Sequence, residues 1–305
     1  MSRRVVQGFS PAVVQGFSPA GRPEGLRHGR PEGLHYVVVV ALLICGAAQL
    51  EAQRGNGPAA PAALPRAAAP IDLTGYWVSV VTQDWRWRMV TPAKGDYLGI
   101  PMNADAKKVA DGWDPARDEA AGEQCKSYGA PALMSVPGRL HITWQDDSTL
   151  KVDTDAGMQT RVLHFGPSTG SGQAAKPPAQ TKPSWQGFSV AQWQTSSGNV
   201  PTLLRPAPRS AVDQPAVVTK GGTLRVVTTN LRAGYLRKNG VPYSTNAVLT
   251  EYWDLFKRQN GEEWLTITTQ VEDPLYLRQP RLIALPFKKE ASGAKWDPTP
   301  CSARW

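Results

Sequence analysis

Histidine is scarce in this chain, cysteine nearly absent, and catalytic signatures missing; each shortage excludes something. Only His141 and His164 of the four histidines lie beyond residue 36. No His-Glu-x-x-His or Cys-x-x-Cys run occurs, so a zinc site, which needs three or four ligands, would have to recruit carboxylates such as Asp153. No metal and no cofactor is implied. A Gly-x-Ser-x-Gly elbow, a P-loop and a dinucleotide fingerprint are also missing, which disfavours a conventional serine hydrolase, kinase or nicotinamide enzyme. Charge runs are lacking too. The net charge is +9, from 34 basic and 25 acidic residues; five and three of these lie in residues 1–52, leaving 29 against 22 beyond them. The charges are dispersed, with no basic stripe of the kind nucleic acid requires. A mildly basic surface still favours anionic partners.

What the chain does contain begins with repetition. VVQGFSPA occurs at 5–12 and 13–20, and GRPEGLRH at 21–28 is echoed by GRPEGLHY at 29–36. These octads have no hydrophobic period on which to build a core, and they read as a translated upstream repeat or an early start codon. The apolar run VVVVALLICGAA, residues 37–48, is 12 residues long. That is too short to span a bilayer but suits the h-region of a secretory signal over 37–52, cleaved after Ala52. Ile44 before Cys45 argues against lipidation, and an uncleaved anchor is the other outcome. A periplasmic or secreted protein without stable membrane insertion is expected. Cys125 and Cys301 then remain, an even count that suggests one disulfide in an oxidising compartment.

Residues 53–70 are rich in Pro and Ala and read as a linker, with order expected from Ile71 and one domain over 71–305. GYWVSVVTQDWRWRMV, 75–90, has the β-branched and aromatic content of a long strand or two successive ones. Residues 103–113 are the one good helix candidate, with Asn103 as N-cap and Gly112 at the end. Strands are expected at 139–144, 149–155, 160–165, 185–193, 223–231, 247–256 and 262–271, with a turn near Ala156-Gly157. Asn260-Gly261 is the strongest hairpin signal. Low-complexity loops are expected near 166–184 and 195–219. Many short strands with little helix point to a mainly β, single antiparallel barrel with one or two short helices.

The densest candidate site is the segment Asp84 to Arg88. Strand periodicity would put Trp77, Trp85 and Trp87 on one face, and Asp84, Arg86 and Arg88 on the other. Such a mouth offers an aromatic wall for a flat or apolar ligand and an arginine fork for its carboxylate or phosphate. The plainer reading is a core strand with a solvated Asp84–Arg86 pair. His141 and His164 share the face opposite Leu140, Ile142 and Leu163, where they could form an acid/base pair or stand as surface histidines. Glu251, mid-strand beside Trp253, is a possible interior acid, while Glu272 and Asp273 look like turn residues.

GYWVSVVTQDWRWRMVTPAKGDY, WDPARDEAAGEQC, PGRLHITWQDD, KNGVPYS and TTQVEDPLYL resemble a family of uncharacterised secreted bacterial proteins. The resemblance covers about 71–301 and implies a lipocalin-like single barrel with no assigned reaction. It assigns no catalytic residues. The expected function is binding of a small apolar or aromatic molecule by Trp77, Trp85, Arg86, Trp87 and Arg88. The alternatives are an acid/base enzyme (lyase, isomerase or hydratase) using His141 or His164 with Asp84 or Glu251, and a glycan-binding module with exposed tryptophans.

Overall fold

Asn260 and Gly261 turn strand β9 (Val248–Lys257) into β10 (Glu263–Glu272), as the sequence predicts. Gly261 sits at φ 84°, which a side chain would resist, and the Asn260 side chain accepts the Glu262 N–H at 3.1 Å. The strands stay in register from Glu263 opposite Lys257 to Glu272 opposite Val248. This hairpin belongs to a closed barrel. The computed structural model describes residues 63–166, 182–195 and 221–304. The octad repeats, the expected export segment, the first part of the expected linker and most of the two expected low-complexity loops lie outside the described residues.

The other barrel strands are β1 (Gly75–Ser79), β2 (Arg139–Asp146), β3 (Thr149–Thr154), β4 (Thr160–Phe165), β5 (Phe188–Thr195), β6 (Gly222–Thr229) and β11 (Arg281–Glu290). Around the wall they run β1-β11-β10-β9-β6-β5-β4-β3-β2, with β2 closing on β1. A ring with an odd number of strands cannot alternate direction throughout. The one parallel contact is β4 with β5, which 22 residues separate in sequence, enough for the crossover that parallel neighbours need. All other contacts in the ring are antiparallel.

Alternation fills the lumen. Leu140 and Ile142 of β2, Leu150 and Val152 of β3, Trp253 of β9, Ile267 of β10 and Leu285 of β11 are buried in one cluster with Trp77. Burying a side chain of this size stabilises a fold by roughly 1.5–3 kcal/mol. One end of the barrel is plugged by Trp144, Phe165 and Trp193, whose rings lie 5.4 Å apart in sequence. Trp193 Nε1 donates to the Pro65 carbonyl at 2.9 Å, so the chain is packed on the barrel before Ile71, earlier than expected.

The opposite end carries a cap. It comprises the hairpin β7 (Gly234–Arg237) and β8 (Val241–Tyr243), the helical turn α1 (Trp85–Arg88), α2 (Ala104–Asp111), α3 (Pro115–Ala120), a 3-10 turn (Gln124–Tyr128) and α4 (Ala130–Leu133). Its own core joins Leu236, Val241 and Tyr243 to Leu249 and Val271 at the strand ends. The helix predicted at 103–113 is α2, with Asn103 accepting the Ala106 N–H at 2.9 Å. Among the described residues no helix is long and apolar enough to cross a membrane.

The expected long strand over 75–90 stops at Ser79. The Val80 N–H still bonds the Pro286 carbonyl at 2.8 Å, but Asp84 turns left-handed (φ 53°) and Trp85–Arg88 coil into α1. The assignment of Trp85, Arg86, Trp87 and Arg88 to alternating strand faces is corrected accordingly. Strand β11 was not expected, because Pro286 breaks a segment that otherwise alternates; its carbonyl accepts the Val80 N–H, so the N–H it lacks lies on the side of β1, where that strand has just ended.

Candidate functional site

Three arginines meet where β1 leaves the barrel wall and β11 enters it. Arg88 ends α1, Arg237 ends β7 and Arg281 opens β11; they are 4%, 7% and 6% exposed. With Asp84, Trp87 and Ser135 they line a cavity of about 30 Å³ under the cap. The backbone places Arg88 there. The Asp84 carbonyl accepts the Trp87 and Arg88 N–H groups at 2.9 and 3.0 Å, which folds the chain back over the barrel mouth. Asp is among the few residues with a side chain that tolerate the left-handed conformation this requires.

The guanidiniums are incompletely satisfied. Arg88 Nε donates to the Ser135 carbonyl at 2.8 Å, yet among the described residues neither Nη1 nor Nη2 has a partner. Arg281 Nη1 has none either. Arg237 Nη1 donates to the Leu98 carbonyl at 3.1 Å, and its guanidinium lies 4.8 Å from the centre of the Trp87 ring, which Arg86 approaches to 4.7 Å. An unmade hydrogen bond on a buried polar group costs about 1–3 kcal/mol, and more on a charged one.

Electrostatics agree with the geometry. Burial pushes Arg281 down to about 10, helped by the repulsion of Arg237 and Arg88 and opposed by Asp84. Burial also lowers Arg88 and Arg237, again against the pull of Asp84. Asp84 forms no ion pair with any of them among the described residues and acts at longer range. Lys238 also lines the cavity, and its amine bonds the Tyr128 hydroxyl at 2.6 Å; burial brings it down to about 7. The cavity is therefore a buried, positively charged pocket with unpaired donors, and what it can do chemically is hold an anion.

Of the residues singled out in the sequence, Asp84, Trp87 and Arg88 line this cavity, and the others do not join them. Trp77 is wholly buried in the barrel core and donates to the Leu73 carbonyl at 2.9 Å. Trp85 is 66% exposed. Arg86 lies outside the cavity and pairs with Asp96 at 2.6 Å; that pair and the Trp87 indole hold the Asp96 carboxyl below its usual range. His141 stacks on Tyr76 with ring centres 4.1 Å apart, and His164 stacks on Phe188 at 5.1 Å. Both occupy the outer parity, and the register keeps them apart: His141 faces Asp153 and His164 faces Thr149, at opposite ends of β3. Glu251 points into the barrel and is bound by Arg161. Cys125 and Cys301 form a disulfide. Among the described residues no cluster of three or more His, Cys, Asp or Glu is placed to hold a metal.

Sequence reasoning missed Arg237, Arg281 and Ser135. Arg281 did leave a signal, since it holds the same parity as Ile283, Leu285 and Phe287; a cation on the buried side of a strand marks a special position. A second hollow, of about 540 Å³ along Gly95–Ala104, is an open groove with Lys107 and Arg278 on its wall.

The chain matches no family model, no curated protein and no solved structure. The site itself carries the functional reading.

Proposed function

We propose that the protein is an exported, lipocalin-like barrel that binds a small molecule through an anionic group, seated under the cap rather than inside the lumen. The observation that carries this reading is the set of buried guanidinium nitrogens of Arg88 and Arg281 with no partner among the described residues. A fold retains such groups at a cost to its stability, and that cost is intelligible if a ligand completes them. The packed lumen turns the expected apolar or aromatic ligand away from Trp77. Its organic part would lie against Trp87 and Leu236, on the cavity wall. The apolar leader and the disulfide support export.

The alternatives have less support. The histidines stand apart on the outside of the barrel, so they do not form an acid/base pair. Among the described residues Trp85 is the one exposed tryptophan, which is too few for a flat glycan platform.

The test is the thermal stability of the full chain in the presence of acetate, benzoate, sulfate and phosphate at matched ionic strength. A saturable rise in melting temperature is expected with at least one of them. Arg281→Met should abolish the rise and, without ligand, melt higher than the native protein, because it removes an uncompensated buried charge. No response to any anion, or an equal response in Arg281→Met, would refute the proposal.

A further inference from the structure

The charge of the cavity narrows the class of anion. Three guanidiniums, one carboxylate and Lys238 line it, which leaves two positive charges uncompensated when the Lys238 amine is neutral and three when it is charged. Arg86 and Asp96, outside it, pair with each other. The amine of Lys238 bonds the Tyr128 hydroxyl. A single carboxylate would leave one of the two charges uncompensated in a buried site, whereas one doubly charged group balances both.

The donors point the same way. Arg88 Nη1 and Nη2 and Arg281 Nη1 reach the cavity from two different elements, α1 and β11. Each of these nitrogens carries two N–H bonds, more than the two oxygens of a planar carboxylate accept without crowding. A tetrahedral group offers oxygens in several directions and can face both forks at once. The space of about 30 Å³ admits a compact group of a few heavy atoms, since a single water occupies about 10–15 Å³ on the same measure.

We infer that the anionic group is a doubly charged tetrahedral oxyanion, a phosphate or sulfate, held between Arg88 and Arg281 with Arg237 as the third counter-charge. The inference rests on the reading of the cavity as an anion site and adds the valence and shape of the occupant. The chemistry is shared by a free oxyanion, a small phosphate or sulfate ester and a phosphate lipid headgroup.

The experiment is calorimetric titration of the full chain with inorganic phosphate, sulfate and phenyl phosphate, against acetate and benzoate, at constant ionic strength. Vesicles of phosphatidic acid in phosphatidylcholine, against phosphatidylcholine alone, are tested by co-sedimentation. Phosphate, sulfate or the ester should bind at least about tenfold more tightly than either carboxylate. Affinity for phenyl phosphate should climb relative to that for sulfate from about pH 5 to about pH 7, as the ester's second proton, with a pKa near 6, leaves. Arg281→Met and Arg88→Met should each lose at least about tenfold. Arg281→Lys, which keeps the charge and loses the fork, covers the case in which those variants do not fold. The exposed Arg66→Met should bind as the native chain does. Preference for phosphatidic acid vesicles with no binding of soluble ions would support the inference and identify a lipid source. Carboxylates binding as well as the oxyanions would overturn it and leave the anion reading standing. Binding of nothing would overturn both, and phosphate binding unchanged in all the arginine variants would mark an adventitious ion only.

Discussion

Lys238 and Arg281 are both cations under the cap, yet burial acts on them with different consequences. Arg281 falls only to about 10 and stays charged at neutral pH, so it serves an anion site. Lys238 falls to about 7, against about 10.4 for an unperturbed lysine, and changes charge in the physiological range. Between these two values the unfolded chain holds a proton that the folded chain has released. Stability therefore rises with pH across that window, and the penalty of burying the ammonium is fully present below about 7. The denaturation midpoint should increase from about pH 6 to about pH 9, and Lys238→Met should flatten the slope. A midpoint that is level or falling in the native protein, or a slope unchanged in Lys238→Met, would remove this assignment. Neither role was legible from the residue alone. Lys238 stands in a Lys-Asn-Gly turn that reads as surface chemistry, and only the packing of that turn buries it. The Asn239 side chain donates to the carbonyls of Ala93 and Asp96 at 3.1 and 2.9 Å, and Gly240, at φ 82°, lies so close to Trp113 that no side chain would fit.

At the scale of elements, the barrel holds one ionic contact that no hairpin rule could anticipate. Arg161 of β4 and Glu251 of β9 both point inward, 1% and 0% exposed, although β5 and β6 separate their strands in the wall. They meet across the lumen through two bonds of 2.9 and 2.6 Å, and Arg161 also donates to Thr228 Oγ1 at 3.2 Å, which in turn shares a 2.8 Å bond with Ser189. Removing one partner strands the other, so Glu251→Gln should lose about 3–5 kcal/mol of stability in urea. Arg161→Met with Glu251→Leu should lose clearly less than the two single changes summed, because the orphan charge disappears with its partner. Additive losses would show that the two charges are not coupled. The parity that buries Leu140, Val152 and Trp253 was readable, because period-two alternation is local. Contacts across the lumen, the single parallel pairing and the end of β1 at Ser79 were not, since each depends on closure of the whole ring. Glu251 was recognised as a possible interior acid from its place beside Trp253, but its partner lies 90 residues away.

At the scale of the molecule, the cap is what turns a filled barrel into one with a site, and the chain's C-terminal tail fastens part of that cap. The Thr299 N–H bonds the Asp155 carbonyl at 2.9 Å, its carbonyl accepts the Gly157 N–H at 2.8 Å, and the Ser302 N–H reaches the Tyr128 hydroxyl at 3.4 Å. Cys301 is then bonded to Cys125 in the 3-10 turn, 176 residues away in sequence. Closing so long a loop removes about 5 kcal/mol of chain entropy from the unfolded state in the simplest treatment, with measured values commonly nearer 2–4 kcal/mol. The double variant Cys125→Ser with Cys301→Ser should therefore unfold about 2–5 kcal/mol more easily. Arg88 and Arg237 of the cavity are held by other contacts, with Ser135, Leu98 and the Trp87 ring, while Ser127 of the cavity wall shares the 3-10 turn with Cys125. Where the double variant is still folded, its affinity for phosphate should stay within about twofold of the native protein. The two readings are separable in one experiment, urea denaturation with and without phosphate. A lower midpoint with the same phosphate-induced increment places the disulfide in the stability of the cap alone. Loss of the increment in a folded variant would mean that the tail also frames the anion site.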